Sequence, residues 1–202
     1  MDFNRVLRQF NELDKLGGSM RLAAEGWDKD WKCLIATIMS AQSRDETTIP
    51  IAEKLFEKYN SLNKLSCARV EDVLEIFRGL NYNRTKAKNV ILCAKMLVFE
   101  CGGKVPLDFD KLLELPGVGR KTANVFLSEF GERGLAVDTH VYYISRFLEW
   151  SKENKTHNVE KDLKKLFPKK YWNKVNPILV RFGKKYTSRK IKNKILDRIN
   201  KL

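Results

Sequence analysis

Proline and glycine are scarce in this chain, 5 and 11 among 202 residues. That excludes collagen-like and low-complexity classes. No apolar run approaches the roughly 18 residues of a membrane span. The opening stretch, MDFNRVLRQFNELDK, is charged and periodic, so it does not read as a signal peptide. The four cysteines, at 33, 67, 93 and 101, are irregularly spaced and form no C-x-x-C. Cys33 and Cys93 fall inside apolar helical patterns and read as core thiols. Without a secretory signal, a reducing, intracellular compartment is the expected location. The two histidines, His140 and His157, leave no first-row metal site that spacing alone could assemble. Alternating strand patterns of useful length and internal repeats are also missing.

What is present is ordinary for a soluble globular protein in bulk: 43% apolar and 32% charged residues,. A chain of this length can bury a real core without staples. The charge is less ordinary. The net is +14, and residues 151–202 hold 17 Lys/Arg against 4 Asp/Glu, whereas residues 1–150 hold 22 against 21. An excess gathered in the last quarter points to a polyanionic partner, nucleic acid above all. A solvated lysine-rich tail that only aids solubility has the same composition.

The periodicity is helical almost throughout. Phe3, Val6, Leu7, Phe10 and Leu13 predict a first helix, stopped by Gly17-Gly18. Trp31, Leu34, Ile35 and Ile38 predict a second that ends near Ser40-Ala41-Gln42. A third is expected after Pro50, with Ala52, Leu55, Phe56 and Tyr59. A fourth carries Val70, Val73, Leu74 and Phe77, and a fifth runs from Ala87 to Leu97 before Gly102-Gly103. A short helix, Phe109–Glu114, precedes Leu115-Pro116-Gly117-Val118-Gly119, and the next helix carries Ala123, Phe126, Leu127 and Phe130 before a break at 131–134. After the short extended step Leu135-Ala136-Val137 comes a helix with Val141, Ile144, Phe147 and Leu148, then two or three basic helices. The fold class is all-α, with helices packed as a non-bundle assembly.

Residues 113–122, LELPGVGRKT, join two short helices through a turn of about four residues. Pro116 cannot continue the first helix. Gly117 and Gly119 permit positive φ and a close backbone approach. The second helix then begins with free N–H groups and a positive dipole end, a ready anion site, to which Arg120 and Lys121 add full charges. A helix–hairpin–helix of this kind can grip a DNA phosphate without reading its base. An ordinary helix–helix turn uses the same Pro-Gly dipeptide. A nucleotide P-loop fails on spacing, since Arg120 stands directly before Lys121, Leu115 stands where the first glycine belongs, and no strand precedes it.

Lys121 points away from the apolar stripe of its helix. A helix N-terminus and Arg120 beside it disfavour the ammonium form, and a lysine so tuned can form a Schiff base. A surface lysine that merely binds phosphate would look the same. Asp138 follows Leu135-Ala136-Val137 and sits where a helix N-cap belongs. A capping carboxylate stays ionised and can stabilise a developing positive charge, so capping and catalysis are compatible.

Residues 115–125, LPGVGRKTANV, followed by 136–140, AVDTH, closely resemble the endonuclease III family of helix–hairpin–helix DNA glycosylases. Ser40-Ala41-Gln42 with Asp45 resembles the family's segment that fills the gap left by a flipped nucleotide. Gly79-Leu80-Asn81-Tyr82-Asn83, followed by Thr85-Lys86-Ala87, resembles its second wedge loop, and Val105-Pro106 precedes the hairpin as in the family. The likeness covers roughly residues 27–187. It implies that Lys121 is the nucleophile and Asp138 its partner. Relatives that only hydrolyse the glycosidic bond usually carry Ser or Tyr at the first position, so lysine implies a bifunctional DNA glycosylase and AP lyase. Gln42 and Leu80, with Tyr82, would fill the gap in the duplex, and Ser40, Asp45 and His140 would line the pocket. Gly117, Gly119 and Arg120 of the hairpin, with Lys184 and Lys185, would contact DNA. Structural roles remain open for several of these: Gln42 as a helix end, Leu80 as core, Asp45 as a cap.

The resemblance breaks at the tail. Most of the family ends in a cysteine-ligated four-iron, four-sulfur cluster, but here residues 181–188 read RFGKKYTS, and Ser188 stands where the first ligand would be. A cluster needs about four thiolates, and no cysteine lies beyond Cys101. No cluster and no metal are therefore expected, with the basic tail taking over its share of DNA contact. The implied architecture is two helical domains flanking a DNA-binding cleft. Residues 27–134, with the hairpin at about 108–131, form one; residues 1–26 and 135–202 form the other. Lys121 and Asp138 would face each other there. The expected partner is double-stranded DNA with a damaged or mismatched base or an abasic site, with no membrane, bound by a monomer in the cytoplasm at the nucleoid. Oxidised pyrimidines fit the family's commonest use. A T/U:G mismatch glycosylase of the same fold and a non-catalytic DNA-binding module are the alternatives.

Overall fold

The computed structural model describes residues 2–130 and 134–202. It is 69% helical, with no strand among the described residues, as the periodicity requires. The helices are α1 (Phe3–Gly17), α2 (Asp30–Ser40), α3 (Asp45–Lys58), α4 (Leu62–Ser66), α5 (Val70–Ile76), α6 (Asn83–Phe99), α7 (Phe109–Glu114), α8 (Arg120–Glu129), α9 (Thr139–Phe147), α10 (Thr156–Leu166), α11 (Trp172–Lys185) and α12 (Arg189–Ile199). Short 3-10 turns occupy Phe77–Gly79 and Lys169–Tyr171. No helix among the described residues is long and apolar enough to cross a membrane.

Two corrections to the predicted elements have local causes. The third helix starts at Asp45, not after Pro50, which lies inside it. Asp45 and Glu46 in its first turn complement the helix dipole and start the helix early enough to enclose the proline. The five-residue α4 was not expected. Ser61 caps it by accepting from Lys64 N at 3.2 Å, and it is too short to show a period. The break expected at 131–134 lies, apart from Gly134, outside the described residues.

The chain divides into two compact units, one spanning Arg21–Phe130 and the other made of Met1–Met20 with Gly131–Leu202. The expected first boundary, at residue 27, falls six residues late for a visible reason. Arg21 pairs with Glu53 at 2.9 Å and stacks on Trp27 at 4.7 Å, while Ala23 N donates to the Asp45 carboxylate at 3.2 Å. These contacts fasten residues 21–26 to α3.

The continuous unit buries Leu34, Ile35, Ile38 and Met39 of α2 with Leu55, Phe77, Leu97 and Phe126. Trp27 and Trp31 meet Phe56 edge-on at 4.9 and 5.3 Å, the geometry aromatic quadrupoles favour. The other unit packs Val6, Phe10 and Leu13 of α1 against Val141, Ile144, Leu163, Leu179, Phe182, Leu196 and Ile199. Its one buried side-chain amide on α1, Gln9, accepts from Trp150 Nε1 at 2.7 Å. Arg5 donates to Asn200 O at 2.5 Å and Arg8 to Leu202 O at 2.9 Å, tying α12 to α1.

Candidate functional site

The hairpin is built as its residues dictate. Asp108 caps α7 by accepting from Lys111 N at 2.9 Å. The turn closes through Val118 N donating to Leu115 O at 3.0 Å, and both residues are buried. Gly117 has φ +82°, and a Cβ there would come within 3.0 Å of Asn89 Cβ and of Ile38 Cγ2. Only glycine satisfies both limits. Gly119 differs from expectation: its φ is −98°, and nothing lies within 4 Å of where a Cβ would stand. It serves as the N-cap of α8 and brings no side-chain cap bond. The start of α8 thus receives no side-chain cap bond from its own N-cap residue, an arrangement suited to holding an external anion. The Arg120 guanidinium stacks on the Phe109 ring at 5.0 Å. Lys121, in the first turn of α8, is exposed. Among the described residues its amine makes no ion pair and no hydrogen bond.

In the other unit, Asp138 is the N-cap of α9. One carboxylate oxygen, Oδ1, accepts from both His140 N and Val141 N at 2.9 Å, and neither bond uses Oδ2. The segment before it is fixed: Leu135, Ala136 and Val137 are buried, and Asn176 Nδ2 donates to Ala136 O at 3.2 Å. His140 is half-buried, with its ring against the backbone of Gly183 on α11.

The segments at 40–45 and 79–83 lie beside each other in the continuous unit, joined by Asn81 Nδ2 donating to Gln42 O at 2.5 Å. Ser40 closes α2 with its hydroxyl on Thr37 O at 2.8 Å. Gln42 and Tyr82 are both exposed and both left-handed, with φ +53° and +55°. Leu80 is 5% exposed whereas Tyr82 is 65% exposed. Of the two roles open for Leu80, the structure holds the packed one: its burial removes apolar surface from water and leaves Tyr82 as the presented side chain. Asp45 is buried in the first turn of α3, one residue inside the N-cap position held by Arg44, and accepts from Ala23 N.

At the end of α11, Lys185 donates to Leu16 O at 2.8 Å. It therefore helps hold α1, beyond the surface role expected of it. Lys184, one residue earlier, is half-buried. Along α12, Arg189 and Lys192 stack over the Tyr143 ring at 5.5 and 6.0 Å, and Tyr143 donates to Asn193. Three residues to which the sequence reading gave no role of their own matter to these arrangements. They are Ser43 and Lys86, between the two loops, and Gly183, under His140. Each acts through a contact across sequence distance, for which no local pattern exists.

Residues 35–169 match the family described as HhH-GPD superfamily base excision DNA repair protein. Endonuclease III of Thermotoga maritima is 40% identical over 156 residues, which are 77% of this chain and 73% of that protein. The Bacillus subtilis endonuclease III is 36% identical over 76% of this chain and 71% of its own. The fold superposes on an endonuclease III trapped as a covalent intermediate with DNA, with a TM-score of 0.84 and 32% identity over 93% of this chain and 89% of that one. A thermostable thymine-DNA glycosylase shares the fold at 20% identity, with a TM-score of 0.75 over 90% and 88% of the two chains. The chain belongs to the endonuclease III family of the HhH-GPD superfamily.

Members of that family usually carry an iron–sulfur cluster, and the residues here do not fit one. Cys33 and Cys93 are buried, and burial pushes both thiols up to about 12, the reverse of what a thiolate ligand needs. Only Cys67 and Cys101 remain. Ser188 occupies the N-cap of α12, and no group of three or more His, Cys, Asp or Glu among the described residues could hold a metal ion.

Proposed function

We propose that this chain, a base excision repair DNA glycosylase and AP lyase, uses Lys121 as its nucleophile and Asp138 as the second catalytic group, and that it removes oxidised pyrimidines from double-stranded DNA. The observation that carries the reading is the position of Lys121. An exposed amine without an ion pair or hydrogen bond among the described residues stands in the first turn of the helix that follows a phosphate-holding hairpin. The sugar C1′ cannot be reached within a stacked duplex, so the nucleotide must be extruded. The hairpin holds backbone phosphate through the uncapped start of α8, while Gln42 and Tyr82 fill the space that the nucleotide vacates.

The Lys121 nitrogen bonds to C1′ as the glycosidic bond breaks, and that bond's electron pair leaves with the base, which takes up a proton. The Asp138 carboxylate offsets the positive charge that develops on the sugar. Loss of the amine proton and opening of the sugar ring give an imine. Removal of a C2′ proton then expels the 3′ phosphate oxygen and cuts the strand on the 3′ side. The enzyme works as a monomer and without an iron–sulfur cluster, with the basic α11–α12 region adding DNA contact.

Borohydride trapping on abasic duplex tests the nucleophile. The unaltered protein is expected to give a covalent adduct and Lys121→Gln none; an adduct that persists in Lys121→Gln assigns the chemistry elsewhere. A panel of duplexes carrying an oxidised pyrimidine, or U or T opposite G, tests the substrate. Faster excision of U or T would replace the oxidised-pyrimidine assignment.

A further inference from the structure

Lys86 on α6 is only 5% exposed, yet among the described residues it faces no carboxylate. Burial alone lowers its pKa from 10.5 to about 8. An ammonium in such a place is costly unless it is paired or hydrogen-bonded, and a leucine or methionine would pack there more easily. The one hydrogen bond its amine makes among the described residues shows what the position supplies. Lys86 Nζ donates to Ser43 Oγ at 2.9 Å, and the same oxygen accepts from Asn81 N at 3.2 Å. Asn81 in turn donates through Nδ2 to Gln42 O at 2.5 Å. Three bonds thus stitch the segment after α2 to the segment before α6 and to the first turns of α6 itself. On either side of the stitch sit Gln42 and Tyr82, two of the three non-glycine residues with positive φ among those described. Left-handed backbone at such residues persists only where the surroundings over-determine it.

We propose that Lys86 and Ser43 form a latch that fastens these two loops to each other, so that Gln42 and Tyr82 are presented together and the nucleotide is extruded efficiently. Lys86 and Ser43 are positioning residues: neither touches the reacting sugar. The proposal rests on the reading that these loops enter the duplex.

The test is single-turnover excision from a duplex carrying an oxidised pyrimidine. Alongside it, the fluorescence of 2-aminopurine placed opposite a tetrahydrofuran abasic analogue reports loop insertion. Ser43→Ala and Lys86→Met are each expected to slow excision about tenfold, the scale of one lost hydrogen bond, and to reduce the fluorescence change, with the DNA concentration at half-saturation little altered. Ser43→Thr, which keeps the hydroxyl, is expected to retain both signals, and the Ser43→Ala/Lys86→Met double variant to be no slower than the slower single one. Excision within twofold of the unaltered enzyme for Ser43→Ala, failure of Ser43→Thr to rescue, or multiplying effects in the double variant each overturn the latch. If Lys86→Met does not fold, Ser43→Ala and Ser43→Thr decide alone. Gln42→Ala and Tyr82→Ala are measured in parallel. If both excise at the normal rate, the wedge reading falls and the latch with it. If both are slow while Ser43→Ala and Lys86→Met are not, the latch alone falls.

Discussion

Gly183 on α11 sits so close beneath His140 that a Cβ there would come within 2.2 Å of the imidazole Nδ1 and 2.8 Å of Cγ. Alanine normally favours a helix interior over glycine, so this position inverts the usual preference. Any side chain must push the imidazole aside, and the first turn of α9 carries both that ring and the Asp138 cap. Gly183→Ala is expected to destabilise the protein by about 1–3 kcal/mol through overpacking and to slow base excision. In the Gly183→Ala/His140→Ala double variant the steric conflict is gone, so the stability losses fall short of additive. Chemical denaturation of the four proteins measures this; strictly additive losses would refute the contact.

The two hairpin glycines make opposite predictions. At Gly117 both the φ of +82° and the 3.0 Å approaches to Asn89 and Ile38 oppose a side chain. Gly117→Ala is expected to cost about 1–3 kcal/mol and to weaken binding evenly across DNA sequences. At Gly119 the backbone is ordinary and the space is open, so Gly119→Ala meets no clash and is expected to cost only the difference between a glycine and an alanine N-cap, below about 1 kcal/mol. Thermal melts and binding titrations on unrelated duplexes separate the two.

Asp138 carries a structural and a proposed chemical role that one pair of variants splits. Its Oδ1 caps α9 through two backbone N–H groups. Asp138→Ala is expected to lose about 1 kcal/mol of stability together with activity. Asn caps as well as Asp, so Asp138→Asn is expected to melt like the unaltered protein while excision collapses. Full activity in Asp138→Asn would reduce Asp138 to a cap.

The depressed pKa of Lys86 makes a stability prediction of known sign. Between about 8 and 10.5 the folded state holds the amine neutral while the unfolded chain keeps it protonated. The unfolded state therefore binds more protons in that window, and stability rises with pH there. The contribution is complete above 10.5 and is lost as pH falls through about 8. Unfolding free energies of the unaltered protein and Lys86→Met, taken at pH 7, 9 and 10.5, should diverge in favour of the unaltered protein as pH rises. A constant difference would mean that Lys86 is not desolvated.

Local features of the chain were legible. The helix Phe109–Glu114 lies where the sequence places it, because Asp108 caps one end and Leu115-Pro116 stops the other. The N-cap at Asp138 was equally readable from its neighbours. The start of α3 was not, since Pro50 signals a beginning more loudly than the acidic turn before it. Gly119 was misread because glycine serves as readily for an empty cap as for positive φ, and the residue letter does not say which. Leu80 could be read from the sequence as wedge or as core, and packing shows it buried. The bonds of Lys86 to Ser43 and the contact of Gly183 with His140 cross 43 residues each, a distance over which periodicity and capping rules carry no information.

The unit that brings α1 together with α9–α12 draws its core from stretches that flank all of residues 21–130. During synthesis, at about 5–20 residues per second, the hairpin-bearing unit has its whole chain in hand and can fold as it emerges. The first helix meanwhile waits with Val6, Phe10 and Leu13 uncovered until α11 arrives to receive them. A ribosome stalled well beyond residue 130 would therefore display a finished hairpin-bearing unit tethered to an orphaned, sticky amphipathic segment.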